Sequence, residues 1–108
     1  ELPHIKTIMD VADHPGAVVC WNCNPTDLNG AGLEANFRLV QDRLGTIHIH
    51  DLRKDNYPWA TLFGLLHGSG FSGWTLLEEG TVPSDTVGAM REVRRRWEQL
   101  CADASKSA

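Results

Sequence analysis

The chain lacks the features that would mark a disulfide-stabilised, membrane-spanning or nucleic-acid-binding protein. Its three cysteines, Cys20, Cys23 and Cys101, are an odd number with one close pair, so the sequence predicts no disulfide framework and favours a reducing cytoplasm. No apolar run approaches the roughly 20 residues that span a bilayer, which disfavours a membrane partner. The net charge is −4, and the basic run 94–96 is predicted to be the solvated side of a helix, which disfavours nucleic acid.

What remains is the composition of one modest folded domain. Hydrophobic residues make up 42% of the 108 residues and charged residues 22%, as is usual for globular proteins. We expect the domain to cover residues 1–103. Small and polar residues fill the segment 104–108, which predicts a flexible tail.

Helix-like and strand-like patterns alternate along the chain. Apolar residues at helical spacing predict four helices, over about 2–13, 33–44, 58–67 and from about 83 onward. Short apolar runs predict three strands, over about 17–21, 46–50 and 73–78. Gly45 is expected to cap the second helix. The inner stripe of the last helix is predicted to be Val87, Met90, Val93, Arg94, Trp97 and Leu100.

This alternation predicts an α/β fold made of parallel βα units. Short strands separated by helices are joined by right-handed crossovers, and the spacing here fits the length of one βα unit. Three parallel strands flanked by four helices would leave two open sheet edges. The alternative is that the units belong to a larger sheet or to a (β/α)8 barrel, which needs roughly 250 residues.

Three of the predicted strands end at, or close to, a side chain that can bind a metal or a proton. Asn22, His48 and Glu78 occupy these positions. The carboxyl ends of parallel strands meet at one edge of the sheet, where α/β proteins place their chemistry. An imidazole is a common ligand of transition metals, and a carboxylate is a ligand or an acid–base group. From spacing alone, a structural histidine, a first loop residue and a turn residue are slightly favoured over these roles.

Other polar groups lie near these strand ends. His50, Asp51, Arg53 and Lys54 follow His48 and could bind an anionic or polyhydroxy substrate, or form an ordinary solvated loop. The spacing Cys-x-x-Cys at 20–23 lies at the end of a strand-like run rather than at a helix start, and no second cysteine pair is present. Redox and zinc-thiolate functions are therefore disfavoured.

Two segments, 47–79 and 14–22, resemble a known family. Residues 47–52 read IHIHDL, 57–59 read YPW and 62–79 read LFGLLHGSGFSGWTLLEE. This pattern resembles the C-terminal part of the sugar phosphate isomerases and epimerases, which are TIM barrels of the xylose isomerase type. HPGAVVCWN at 14–22 is similar to the preceding strand of that family. The resemblance implies that the chain supplies about three strands and four helices of a (β/α)8 barrel.

The resemblance also implies a site and a cofactor. Members hold Mn, Mg, Co or Zn at the barrel mouth and move a proton next to a carbonyl through an enediolate. By position, His48 matches the metal-binding histidine and Glu78 matches the last glutamate, which also acts as a base. Asn22 stands where the family has a metal-binding aspartate, and Lys54 where epimerases place a substrate-binding arginine. His50 is the other residue expected to contact substrate.

The family comparison leaves three functional hypotheses. The chain is the C-terminal part of a cytoplasmic sugar isomerase or epimerase, in which case the isolated 108 residues are expected to be inactive, because the strand with the first glutamate ligand would lie before residue 1. Alternatively it is a degenerate barrel that binds a carbohydrate without turnover, which Asn22 favours. The related endonucleases acting at abasic DNA are disfavoured by the acidic balance. The expected partner is a second copy or the missing N-terminal half of the barrel.

Overall fold

A computed structural model describes residues 1–106. The helices and strands of this part are α1 Leu2–Ala12, β1 Val19–Trp21, α2 Leu33–Val40, β2 Leu44–Ile49, α3 Trp59–Gly68, β3 Trp74–Leu77 and α4 Thr86–Lys106. The strands form one parallel sheet in the order β1-β2-β3. The predicted α/β alternation with parallel strands is confirmed. None of the helices in residues 1–106 combines the length and apolar character needed to cross a membrane.

One face of the sheet carries the core. Side chains alternate between the two faces of a strand, so every second residue points toward the helices. Val19 and Trp21 of β1 and Ile47 and Ile49 of β2 are buried there. They pack with buried apolar residues of α2 and α3, among them Phe37, Val40, Leu62, Phe63 and Leu66.

The opposite face of the sheet has no such covering. Trp74 and Leu76 of β3 remain 77% and 46% exposed, and Val18 and Cys20 are exposed beside β1. Parallel sheets are normally covered on both faces, because the helical crossovers and further layers bury them. Two apolar side chains on an open face of a parallel sheet therefore mark a surface that suits a further layer of protein.

The second predicted helix ends earlier than its apolar spacing suggests. α2 stops at Val40, a single turn of 3-10 helix covers Gln41–Arg43, and Leu44 and Gly45 already belong to β2. The prediction that Gly45 caps this helix is wrong. A Cβ atom on Gly45 would lie 2.4 Å from Cγ2 of Val18, so glycine is needed here for the close approach of neighbouring chain segments.

The last helix begins and ends a few residues later than predicted, and part of its predicted inner stripe is exposed. Its buried residues are Ala89, Val93 and Ala104, and Leu100 is half-buried, whereas Val87 and Met90 are exposed. Trp97 is 38% exposed but donates a hydrogen bond from Nε1 to Oγ1 of Thr75 on β3 at 2.8 Å, so part of the predicted inner stripe faces the sheet without being buried. The helix also continues through Lys106, so the predicted tail does not begin at 104; residues 107–108 lie outside the described part.

Candidate functional site

The carboxyl ends of β2 and β3 bring His48 and Glu78 into direct contact. Nδ1 of His48 lies 2.7 Å from Oε2 of Glu78. His48 pairs with Leu76 in the sheet register, so Glu78 lies two residues further along the neighbouring strand, and its carboxylate reaches diagonally back across the strand end. Both side chains lie on the face that the helices leave open. An ionised carboxylate only accepts hydrogen bonds, so Nδ1 of His48 is the donor in this contact.

Asn22 lies beside this pair on the third strand end. Trp21 pairs with Ile47, so extending the register by one residue places Asn22 opposite His48. Its Oδ1 accepts a hydrogen bond from Sγ of Cys20 at 3.5 Å, on the same open side of the sheet. The predicted convergence of the three strand ends is therefore reproduced, although only His48 and Glu78 touch.

His50 and Lys54, the two predicted substrate-binding residues, have different surroundings. Nδ1 of His50 lies 2.9 Å from the main-chain oxygen of Glu78, so this imidazole joins the strand ends through the backbone. Lys54 is exposed in the following loop, and its carbonyl oxygen accepts a hydrogen bond from Nε1 of Trp59 at 3.1 Å. The structure thus brings His50 to the candidate site and leaves Lys54 at the loop surface.

The donor atoms present fit only part of a metal site. Among residues 1–106, no group of three or more His, Cys, Asp and Glu side chains is placed to hold a metal ion. His48 and Glu78 offer one nitrogen and one carboxylate at a common point, and Asn22 could add an uncharged oxygen from the next strand. Hard divalent ions favour several oxygen ligands with negative charge, so this set needs further ligands to hold one tightly.

A buried polar network behind the site was not predicted from the sequence. The hydroxyl of Tyr57 accepts a hydrogen bond from Nε1 of Trp21 at 3.1 Å and donates one to Oδ2 of Asp27 at 2.8 Å. The same Oδ2 accepts the backbone N–H of Asn24 at 2.8 Å. Burial raises the pKa of Asp27 and that of Tyr57. The network fixes the loop after β1, and the only sequence signal for it was the single tyrosine in the YPW segment.

The cysteine pair has no redox geometry. Both thiols are free: Cys20 is exposed, and Cys23 is buried with a positive φ of 56°. Burial raises the pKa of Cys23 to about 12 and also raises the pKa of Cys20. Reactive cysteines usually have a lowered pKa, and burial shifts both of these thiols in the opposite direction.

A groove of about 490 Å³ lies on the other side of β3 from His48. Thr75 and Leu77 form its floor on the strand, and Met90, Val93 and Trp97 form its wall on α4. It is a mostly apolar gap between the sheet edge and the helix, and Arg94 is among its lining residues.

No protein family model, no curated protein and no solved structure matches this chain.

Proposed function

We propose that these strands belong to a (β/α)8 barrel and that His48 and Glu78 act at its mouth in a metal-dependent sugar or sugar phosphate isomerase or epimerase. The observation that carries the proposal is the 2.7 Å contact between these two side chains, at the carboxyl ends of adjacent parallel strands. Their position on the uncovered face of the sheet also supports it, because that face would be the inside of a closed barrel. The resemblance of residues 47–79 to this family supplies the substrate class.

Each residue of the pair has a distinct role in this proposal. Glu78 is 62% exposed at the side chain, so its carboxylate can reach a substrate and take a proton from a carbon next to a carbonyl. His48 donates to this carboxylate and holds it toward the open face. A bound divalent ion would polarise the substrate carbonyl.

A second acid–base group is needed to return the proton from the other face of the substrate. The strand ends of residues 1–106 bring together one carboxylate and one imidazole in direct contact. We therefore expect the isolated 108-residue chain to show no isomerisation of ketoses, even with added Mn²⁺. The expected substrate is a carbohydrate, and a cytoplasmic setting stays a prediction.

One observation favours a second candidate, a barrel that binds a carbohydrate without turning it over. Asn22 supplies an amide where a carboxylate would add a negative charge, and its oxygen already accepts a hydrogen bond from Cys20. A site with one carboxylate binds a hard divalent ion more weakly than one with two or three. The two candidates differ in whether the His48–Glu78 pair takes up a metal.

Titration of the chain with Mn²⁺, followed by broadening of the histidine side-chain NMR signals, tests the proposal. We expect selective broadening of His48 and His50 at low Mn²⁺ concentration, and loss of this effect in Glu78→Ala. His4→Gln is the matched control, since His4 is exposed on α1 and away from the strand ends. Equal broadening of all histidines, or no change in Glu78→Ala, would contradict a metal role for the pair and favour the non-catalytic candidate.

A further inference from the structure

Beyond the last paired residues, three polar contacts join the segment after β3 to the end of β2 and the loop that follows it. The backbone N–H of Glu78 donates to the oxygen of Ile49 at 2.9 Å, and the oxygen of Glu78 contacts Nδ1 of His50 at 2.9 Å. The third point is a side chain: Oε1 of Glu79 accepts the backbone N–H of Asp51 at 2.6 Å. The two consecutive glutamates thus contact different parts of β2, Glu78 its open face and Glu79 the loop that follows it.

The donor that Glu79 contacts is itself held in place. The carboxylate of Asp51 accepts three hydrogen bonds from Arg53, from the backbone N–H at 3.0 Å, from Nε at 2.9 Å and from Nη2 at 2.7 Å. The side chain of Asp51 is only 8% exposed, and Arg53 lowers the pKa of this carboxyl group, so the pair stays ionised at neutral pH. The loop after β2 therefore presents a fixed N–H group to Glu79.

We propose that Glu79 is a positioning residue for Glu78. Consecutive side chains of an extended segment point to opposite sides, so anchoring Glu79 on the Asp51 N–H sets the backbone rotation that turns Glu78 toward His48. Glu78 needs such support because it lies past the end of β3, and within residues 1–106 the polar contact of its largely exposed side chain is with His48. An unsupported glutamate side chain loses conformational entropy when it is fixed in one rotamer.

The meaning of this positioning for catalysis rests on the proposed function, but the contact can be tested without it. With Glu78 as acceptor, the proton of neutral His48 resides on Nδ1, and ¹⁵N NMR distinguishes this tautomer from the one protonated at Nε2. The spectrum is recorded at about pH 8.5, where imidazoles are neutral. Glu78→Ala removes the acceptor and defines the signal of an unpaired His48.

We expect Glu79→Ala to shift His48 most of the way toward the signal seen in Glu78→Ala. Glu79→Gln should keep the original signal, because its amide oxygen can still accept the Asp51 N–H. Glu79→Asp keeps the negative charge, but its shorter side chain cannot reach the Asp51 N–H, so the original His48 signal should be lost. This variant replaces Glu79→Ala if Glu79→Ala does not fold. Glu98→Ala is the matched control, since Glu98 pairs with Arg94 on α4 far from the site.

An unchanged His48 signal in a folded Glu79→Ala or Glu79→Asp variant would overturn the positioning role, as would loss of the signal in Glu79→Gln. These measurements involve neither metal nor substrate. Failure of Mn²⁺ to bind therefore counts against the proposed function and leaves the positioning role standing. Mn²⁺ binding together with an unchanged His48 signal in the Glu79 variants would contradict the positioning role and leave the proposed function standing.

Discussion

At the scale of single residues, the buried polar groups explain the loop beside the site. Tyr57 joins the indole of Trp21 to the carboxyl group of Asp27, and all three lie in the core. In residues 1–106 every buried side-chain nitrogen and oxygen has a hydrogen-bond partner. A buried polar group without a hydrogen-bond partner costs about 1–3 kcal/mol. The conformation of the loop that contains Asp27 therefore depends on the hydroxyl of Tyr57.

The change Tyr57→Phe should lower the free energy of unfolding by about 1–3 kcal/mol. Burial raises the pKa of Asp27 above its ordinary 3.8, so the contribution of Asp27 to stability is present below that value and is lost as the pH rises through the native pKa. The Tyr57 hydroxyl lowers this pKa, so removing it raises the pKa further. The destabilisation should therefore be larger at about pH 7 than at about pH 4 in urea unfolding.

The control for this series is the variant Asp27→Asn combined with Tyr57→Phe. An amide at position 27 has no charge to stabilise, so the additional effect of Tyr57→Phe should no longer depend on pH. A penalty for Tyr57→Phe that is equal at both pH values, with Asp27 present, would show that the hydroxyl does not support the ionised carboxylate.

At the scale of the elements, close packing decides where helix gives way to strand. The spacing of Leu33, Phe37, Val40 and Leu44 is helical, yet the chain leaves the helix at Val40 and begins β2 at Leu44. Pairing of Leu44 with Val19 of β1 outweighs the local periodicity. Gly45 permits this pairing because Val18 fills the space that its Cβ would need.

The change Gly45→Ala should destabilise the protein by about 1–3 kcal/mol, since the new methyl group would displace the β-branched side chain of Val18. Gly64→Ala is the matched control. Gly64 lies within α3, where an added Cβ would meet nothing within 4 Å, and alanine should stabilise this helix by about 0.5–1 kcal/mol. Urea unfolding of both variants measures the difference, and equal effects of the same sign would contradict the packing argument.

At the scale of the whole molecule, the sheet has helices on one face only. Trp74 and Leu76 point away from the helical layer and are exposed, beside the polar pair His48 and Glu78. β3 is also an edge strand, with one row of main-chain groups outside the sheet. An apolar open face next to an unpaired edge favours association with another chain or another part of a barrel.

We expect the chain to self-associate, and Trp74→Lys to weaken this association by about tenfold or more, because a tryptophan that becomes buried contributes strongly to interfaces. Light scattering coupled to size exclusion over a range of concentrations measures the effect. Val82→Lys is the control, since Val82 is 83% exposed in the loop before α4 and outside the sheet. A chain that stays monomeric at every concentration would contradict this expectation.

The amino-acid sequence by itself determined the alternation of helices and parallel strands and the meeting of Asn22, His48 and Glu78 at one end of the sheet, because both follow from local periodicity and from the geometry of βα units. Only the tertiary structure decided the diagonal contact of His48 with Glu78, the anchoring of Glu79 on Asp51, and the incomplete burial of the apolar stripe of α4. These depend on register and on packing between residues far apart in the chain, which no local pattern encodes.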